Sequence, residues 1–264
     1  MSEDSGWDCR PGPCPVLESV MLMLRSVRDI IGYRAASTDG PIGKIKDFYF
    51  DDKAWTVRYI VLDTGHWLPG RRVLISPQSL GEPDWKREEL PINLSREKIE
   101  ASPNVDMEKP VSRQKQSELS VYYDWTPYWG YLGLEPGRDK GEIAEATPAA
   151  GHEPDEHLRS VREVCHYRIH ASDGEIGHLQ DFIVQTEGWV LRYLVVDTRV
   201  WLPAKKVLVS PAWIDRVDWP TAEVYVDLQR ETIKHGPAFD YHSPVNRDYE
   251  ERMFDYYGRP VYWD

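Results

Sequence analysis

Apolar residues recur at every second position in several short stretches of this chain, a spacing typical of β-strands. The stretches with this character, rich in aromatic and β-branched residues, are residues 42–50, 55–63, 73–75 and 90–94. Asp39 and Gly40 precede the first of them as a hairpin-type turn, and residues 96–99 indicate a short helical turn. With no long helical period, the pattern predicts an all-β fold, a small antiparallel barrel or sandwich.

The whole pattern occurs twice. Residues 24–130 (repeat one) recur as residues 158–264 (repeat two) without insertion or deletion, so residue n corresponds to residue n + 134. Such self-similarity indicates one module built twice. We predict the following order: an acidic N-terminal arm at 1–23, a barrel at 24–100, an aromatic tail at 101–130 (tail one), a flexible acidic linker at 131–157, a second barrel at 158–234 and a second aromatic tail at 235–264 (tail two).

The strand predicted at residues 55–63 is apolar on both faces. Trp55, Val57 and Tyr59 are expected to point into the barrel, and the opposite set contains Arg58 and Ile60. In repeat two the opposite set is likewise apolar except for Arg192. An outer face of this kind should be covered by another part of the molecule or by a partner.

Each repeat ends in an aromatic tail that is too apolar for an ordinary linker. Three alternatives stay open: the tail covers its own barrel, it is exchanged between barrels or chains, or it binds an outside partner. In every case it is an interface element, because Tyr and Trp bury a large area with few rotatable bonds. The interface candidates are Tyr122, Tyr123, Tyr128, Trp129, Tyr256, Tyr257, Tyr262, Trp263, Arg58 and Arg192.

Composition and charge limit the classes of partner that can be expected for this chain. The net charge is −12, but three of these excess charges fall in residues 1–23 and five in 131–157, so the repeats are near neutral. Without clustered Lys and Arg, nucleic acid is not expected as a partner, and no apolar run is long enough for membrane insertion. Cys165 corresponds to Ile31 in repeat one, so the repeats share no pair of cysteines that could form a disulfide. This indicates a reducing, cytoplasmic location.

The chain offers little sign of catalytic chemistry. His166 and His170 have no histidine counterparts in repeat one, and we interpret them as surface residues rather than metal ligands. Asp47 and its equivalent Asp181 are repeated carboxylates; we expect Asp47 to pair with Arg58 on the adjacent strand. Asp63 ends a strand, where its carboxylate can cap a turn. We therefore predict no catalytic residue, no metal and no cofactor.

The repeated motifs resemble those of the PRC-barrel domain. They are residues 24–27, 39–43, 47–48, 55–64 and 72–77, with counterparts at 173–177, 189–198 and 206–211. This family is named for the cytoplasmic barrel of the photosynthetic reaction centre H subunit and includes a domain of a ribosome maturation factor. The resemblance implies a compact barrel that docks onto proteins, without implying catalysis.

The leading hypothesis is a non-enzymatic protein-binding or assembly module of two such barrels, whose partner is another protein or a second copy of itself. One alternative is an accessory component of a membrane electron-transfer complex, similar to the H subunit but without a membrane anchor and held at the inner membrane through a protein partner. Another is a small-ligand binder with a site between the barrels.

Overall fold

The computed structural model describes residues 24–65, 68, 72–103, 111–129, 157–198 and 205–263. The predicted acidic arm at 1–23 and nearly all of the predicted linker at 131–157 lie outside these residues. Within them, no helix is long and apolar enough to cross a membrane.

Every element of repeat one has an equivalent 134 residues later. In repeat one the elements are β1 (Leu24–Ser26), α1 (Val27–Ile30), β2 (Arg34–Ser37), β3 (Gly40–Asp51), β4 (Thr56–Asp63), β5 (Arg72–Ile75), a 3₁₀ turn (Pro77–Ser79), β6 (Glu89–Pro91), α2 (Arg96–Glu100) and α3 (Arg113–Tyr123). In repeat two they are β7 (Leu158–Ser160), α4 (Val161–Val164), β8 (Arg168–Ala171), β9 (Gly174–Gln185), β10 (Val190–Asp197), β11 (Lys206–Val209), a 3₁₀ turn (Pro211–Trp213), β12 (Ile214–Asp218), β13 (Glu223–Val226), α5 (Arg230–His235) and α6 (Arg247–Tyr257).

The strands form one mixed sheet of 13 strands rather than purely antiparallel ones. Its main path runs β12-β13-β8-β9-β10-β4-β3-β2-β6, and the two repeats meet where β10 pairs with β4. The hairpin-type turn predicted at Asp39 and Gly40 is confirmed, since it joins the antiparallel pair β2–β3, and the strands predicted at 42–50 and 55–63 pair antiparallel as β3 and β4. The prediction of antiparallel pairing throughout is wrong for β2 with β6 and for β8 with β13, which are parallel.

A repeated glycine fixes where β3 can approach β4. Gly43 has φ +148°, and a Cβ at this position would lie 2.1 Å from the backbone oxygen of Asp63. Gly177 meets Asp197 in the same way, with 2.0 Å between the two atoms. Any side chain here would push the two strands apart, so both repeats need glycine at this position.

The prediction of an all-β fold is wrong for the two tails. Each contains a helix of 11 residues, α3 and α6. The side chain of Ser112 caps the first helix and that of Asn246 the second, and Asp124 and Gly258 end them in the left-handed conformation. These caps are the sequence signals of a helix, and the aromatic composition of the tails hides them. The predicted helical turn at 96–99 is confirmed as α2.

The first strand of each repeat pairs with the other repeat. β1 pairs with β9, with Arg25 opposite Val184, and β7 pairs with β3, with Arg159 opposite Phe50. We call residues 24–30 and 158–164 opening segments one and two. Nothing in the sequence predicts this exchange, because residues 24–28 and 158–162 are identical and fit either repeat equally well.

A shared aromatic core lies beneath the exchange. The ring of Phe50 stacks on Trp55 at 5.5 Å and contacts Phe182 of repeat two at 5.6 Å. Phe48 stacks on Trp189 of repeat two at 6.0 Å. Phe48, Phe50 and Phe182 are fully buried, so the interior is continuous across the two repeats.

Candidate functional site

Tail one packs against its own repeat. Trp125, which follows α3, lies with its ring 6.3 Å from that of Tyr59 on β4 and stacks on Tyr123 at 4.3 Å. Its indole N–H donates to the hydroxyl oxygen of Ser79 at 2.7 Å. Gln116 on α3 is fully buried and accepts a hydrogen bond from the Tyr128 hydroxyl at 2.8 Å. The tail therefore continues the core of its own repeat.

Tail two repeats this arrangement with a buried carboxylate. Glu250 on α6 is 1% exposed and accepts from the hydroxyls of Tyr193 at 2.6 Å and Tyr262 at 2.8 Å. Burial, followed by the neighbouring Glu250 carboxylate, raises the pKa of Tyr193. Arg247 lies 3.3 Å from the second carboxylate oxygen and compensates the charge.

The face of the central strand that the tails cover differs from the expectation. Tyr59 and Tyr193 belong to the set assigned to the interior, and both contact the tail instead. The assignment is therefore wrong for Tyr59 and Tyr193, whereas Arg58 and Arg192 of the opposite set contact the tails as expected. The reason is an irregularity in the strand pairing, which shifts register between Val57 and Tyr59 and between Leu191 and Tyr193, so simple alternation does not hold across this point.

The repeated arginines stack on the ends of the tails. The guanidinium of Arg58 lies 4.1 Å from the ring centre of Tyr128, and that of Arg192 lies 4.1 Å from Tyr262. Arg58 also forms an ion pair with Asp51 at 3.1 Å. A cation over an aromatic face is stabilising, more so when it is partly desolvated. These interface candidates thus join each tail to its strand.

The other aromatic candidates divide by exposure. Tyr123 and Tyr257 are buried, and Trp129 stacks under Arg113 at 4.5 Å. Trp263 stacks under Arg247 at 3.7 Å. Two remain toward the outside, where their hydroxyls cap the preceding helices: Tyr122 donates to the carbonyl of Lys98 and Tyr256 to that of Thr232.

An open groove of about 1030 Å³ lies beside tail one at the junction of the repeats. Its lining includes residues 56–59 from repeat one and residues 186–189, the β9–β10 turn, from repeat two. Seven of the lining residues are aromatic or proline: Trp85, Trp125, Tyr128, Trp189, Pro77, Pro83 and Pro127. Two exposed carboxylates, Glu82 and Glu187, also line it.

The pseudo-symmetric position holds a smaller cleft of about 320 Å³. Trp219 and Val217 correspond there to Trp85 and Pro83 of the groove. The carboxylate of Asp52 closes it by accepting from Arg159 at 3.1 Å and lying 3.0 Å from His157. Its counterpart in the groove is Thr186, which has no carboxylate. The two junctions therefore differ both in size and in this residue.

The repeated aspartates hold the exchange in place. The Ser26 hydroxyl donates to Asp181 at 2.5 Å, and the Ser160 hydroxyl donates to Asp47 at 2.5 Å. The expected pairing of Asp47 with Arg58 is wrong, because Arg58 pairs with Asp51. Burial raises the pKa of both carboxyls, that of Asp181 to about 6. The predicted turn cap is confirmed, since Asp63 accepts from the backbone N–H of Gly65 at 3.0 Å.

His166, His170 and Cys165 are not among the residues that line the groove. His170 stacks on Tyr225 at 4.9 Å and lies 3.5 Å from Glu223. Over the parts of the chain that the structure describes, no three His, Cys, Asp or Glu side chains are grouped to hold a metal ion. Burial, with Asp181 and Asp47 nearby, raises the pKa of Cys165 to about 12, so its thiol stays protonated.

These positions can be compared with known proteins. Residues 24–89 match the family model of the PRC-barrel domain. A PRC-barrel domain is therefore present in repeat one. This match spans β1 through the start of β6, and so includes the opening segment that pairs with repeat two. Among the curated proteins, none matches the chain.

Sequence reasoning missed Glu250 and Gln116, the residues buried beneath the tails. An acidic residue in a polar stretch normally lies in solvent, so Glu250 does not stand out in the sequence as a buried residue. A usable signal was nevertheless present. Both repeats place a long hydrogen-bonding side chain at the same position, and both carry the tyrosines that donate to it.

Proposed function

We propose that this chain is a non-enzymatic protein-binding and assembly module made of two PRC-barrel repeats, and that the groove beside tail one is its docking surface. The observation that carries the proposal is the groove itself, whose walls come from both repeats and are rich in aromatic and proline side chains. Grooves of this composition bind extended or proline-containing segments, because flat rings pack well against an extended backbone.

The charged residues of the groove indicate the charge of the segment that binds there. Among the residues that line the groove, Arg58 is engaged with Asp51 and with the ring of Tyr128. Glu82 and Glu187 are exposed and leave the rim with an excess of negative charge. We therefore infer that the partner contributes an extended segment carrying Lys or Arg, whose charges complement these carboxylates.

A small-ligand function is the second candidate, favoured by the position of the groove between the repeats. Its volume of about 1030 Å³ is at the upper end for small-molecule sites. Such sites normally bury most of the ligand surface, whereas this groove is partly open to solvent. An extended chain loses less from this openness, because it is anchored at successive side chains. A role in a membrane electron-transfer complex remains a prediction.

Charge reversal at the rim tests the docking surface. The full chain, used as bait in native lysate, should retain a protein that the double variant Glu82→Lys, Glu187→Lys no longer retains. The matched control is Glu251→Lys with Asp255→Lys, which makes the same charge change on exposed positions of α6. A basic peptide from the retained protein should compete with it for the wild-type chain.

Identical sets of retained proteins from the wild type and the rim variant would contradict the proposal. A small molecule released from the purified chain by heating, and absent from the rim variant, would favour the second candidate.

A further inference from the structure

The exchange of the opening segments completes each repeat with a part of the other. Opening segment one supplies β1 to the edge of β9 and places α1 against β9, and opening segment two does the same for β3. β9 pairs with the strand that begins residues 24–28, and β3 pairs with the strand that begins residues 158–162, and these two five-residue sequences are identical. The contact is therefore two-fold and self-complementary, as in exchanged homodimers.

Each exchanged strand is anchored at the end where its helix starts. The Ser26 oxygen caps α1 by accepting from the backbone N–H of Asp29, and its own proton is donated to Asp181. The backbone N–H of Arg28 donates to the same carboxylate at 3.1 Å. One serine thus serves both its own helix and the other repeat.

Opening segment two uses the same contacts. Ser160 accepts from Glu163 N–H and donates to Asp47, and the N–H of Arg162 reaches Asp47 at 3.2 Å. Since Asp47 is 9% exposed and Asp181 1%, removal of either segment would leave a buried carboxylate short of donors.

Because the two repeats share one core, each depends on the other for part of its buried contacts. Separating the repeats would break the ring contacts of Phe50 with Phe182 and of Phe48 with Trp189, all four of which are buried. It would also break the backbone bonds from Val57 to Trp189 and from Leu191 to Trp55.

We propose that the folding unit is a pair of repeats interlocked by their opening segments, and that this pairing can also form between two chains, so that a second copy of this chain is the partner that the strand-accepting edges fit. The identical opening segments carry this step, because an edge that accepts residues 158–162 from its own chain meets the same atoms in those of another copy. The inference is independent of the groove and goes beyond the proposed docking function.

The test uses the full chain with a protease site inserted in the connector, between residues 143 and 144. After cleavage, light scattering should still give one particle near 30.7 kDa. When cleaved ¹⁵N-labelled and unlabelled samples are unfolded together and refolded, native mass spectrometry should show half of the particles with mixed labels. Without unfolding, mixing should be slow, because both strands must be withdrawn first. Separation into two folded pieces, aggregation on cleavage, or refolding without mixed pairs would overturn the proposal.

The anchors are tested in the same cleaved protein. The double variant Ser26→Ala, Ser160→Ala should exchange halves at least about tenfold faster than the wild type, because each change removes a bond to a buried carboxylate. The control is Ser95→Ala, where the serine caps α2 through Lys98 N–H. This variant loses a helix cap without a contact to the other repeat, so it should exchange at the wild-type rate. Equal rates in all three proteins would show that the opening segments do not lock the pair.

Discussion

Repeat one and repeat two solve the same packing problem beneath their tails with different residues. In repeat one, Trp125 fills the space above Tyr59 and Ser79 accepts its N–H. In repeat two these positions hold Arg259 and Trp213, and the Trp213 ring contacts Phe254 at 5.4 Å and Tyr257 at 4.9 Å. Each repeat has one tryptophan at the contact between tail and barrel. In repeat one it belongs to the tail, and in repeat two it belongs to the 3₁₀ turn that the tail covers. The volume is maintained, while the residue that supplies it changes.

The polar centre differs in charge. Gln116 accepts from Tyr128 in repeat one, and Glu250 accepts from Tyr193 and Tyr262 in repeat two. Glu250 has Arg247 within 3.3 Å. The comparison teaches that the structure requires an acceptor for tyrosine hydroxyls, and that a charge is tolerated because a cation is close.

Removing tail two should produce the largest effect. Deletion of residues 255–264 removes buried Tyr257 together with Tyr262 and Trp263, and leaves Glu250 with one tyrosine donor fewer. We expect a loss of at least about 4 kcal/mol in the free energy of unfolding and binding of a hydrophobic dye. The control Tyr256→Ala, at a residue 42% exposed, should cost less than about 1 kcal/mol. Urea unfolding measures both, and equal stability of the truncated and control proteins would show that the tail contributes no packing.

The exchanged tryptophans can be tested by making repeat two resemble repeat one. Trp213→Ser should cost about 3–5 kcal/mol, because it empties a buried aromatic site. Adding Arg259→Trp to this variant should restore at least half of the loss, whereas Arg259→Trp alone should gain almost nothing. A double-mutant cycle measured by urea unfolding gives the coupling. Effects that add within about 0.5 kcal/mol would contradict the equivalence of the two sites.

The charge difference is tested at Glu250. Glu250→Gln should change the unfolding free energy by less than about 1 kcal/mol, because the amide oxygen still accepts from both tyrosines and no buried charge remains. Glu250→Leu should cost about 2–4 kcal/mol, because two buried hydroxyls lose their acceptor. If the glutamine and leucine variants were equally stable, the acceptor role would be wrong.

The smallest effect concerns pH. Asp181 has a pKa of about 6 in the folded protein against an ordinary value of 3.8, so the folded state binds its proton more tightly. Its contribution to stability is therefore present below about pH 4 and is lost as pH rises through about 6, by roughly 1 kcal/mol between pH 5 and 7.5. Asp181→Asn should reduce this decline, as followed by thermal unfolding across that range. An unchanged pH profile would contradict burial of the ionised group.

The local elements of the fold were predictable from the sequence, and the connections between repeats were not. Alternation located β3 and β4, and the turn at Asp39 and Gly40 located the start of β3, because these signals act within a few residues. The exchange involves identical opening segments, so local sequence cannot distinguish the two acceptors. The sequence shows no sign that Trp189 lines a groove, because only the junction of the repeats brings it into the same groove as Tyr128.

The most direct test of the account is the pairing of the opening segments. Nuclear Overhauser effects between backbone protons of Leu24–Ser26 and of residues 183–185 should be present in the uncut protein, together with effects between Leu158–Ser160 and residues 49–51. Interlocked repeats predict both sets. Effects from Leu24–Ser26 to residues 49–51 of the same repeat, in place of those to residues 183–185, would show that each repeat folds with its own first strand and would contradict the exchange.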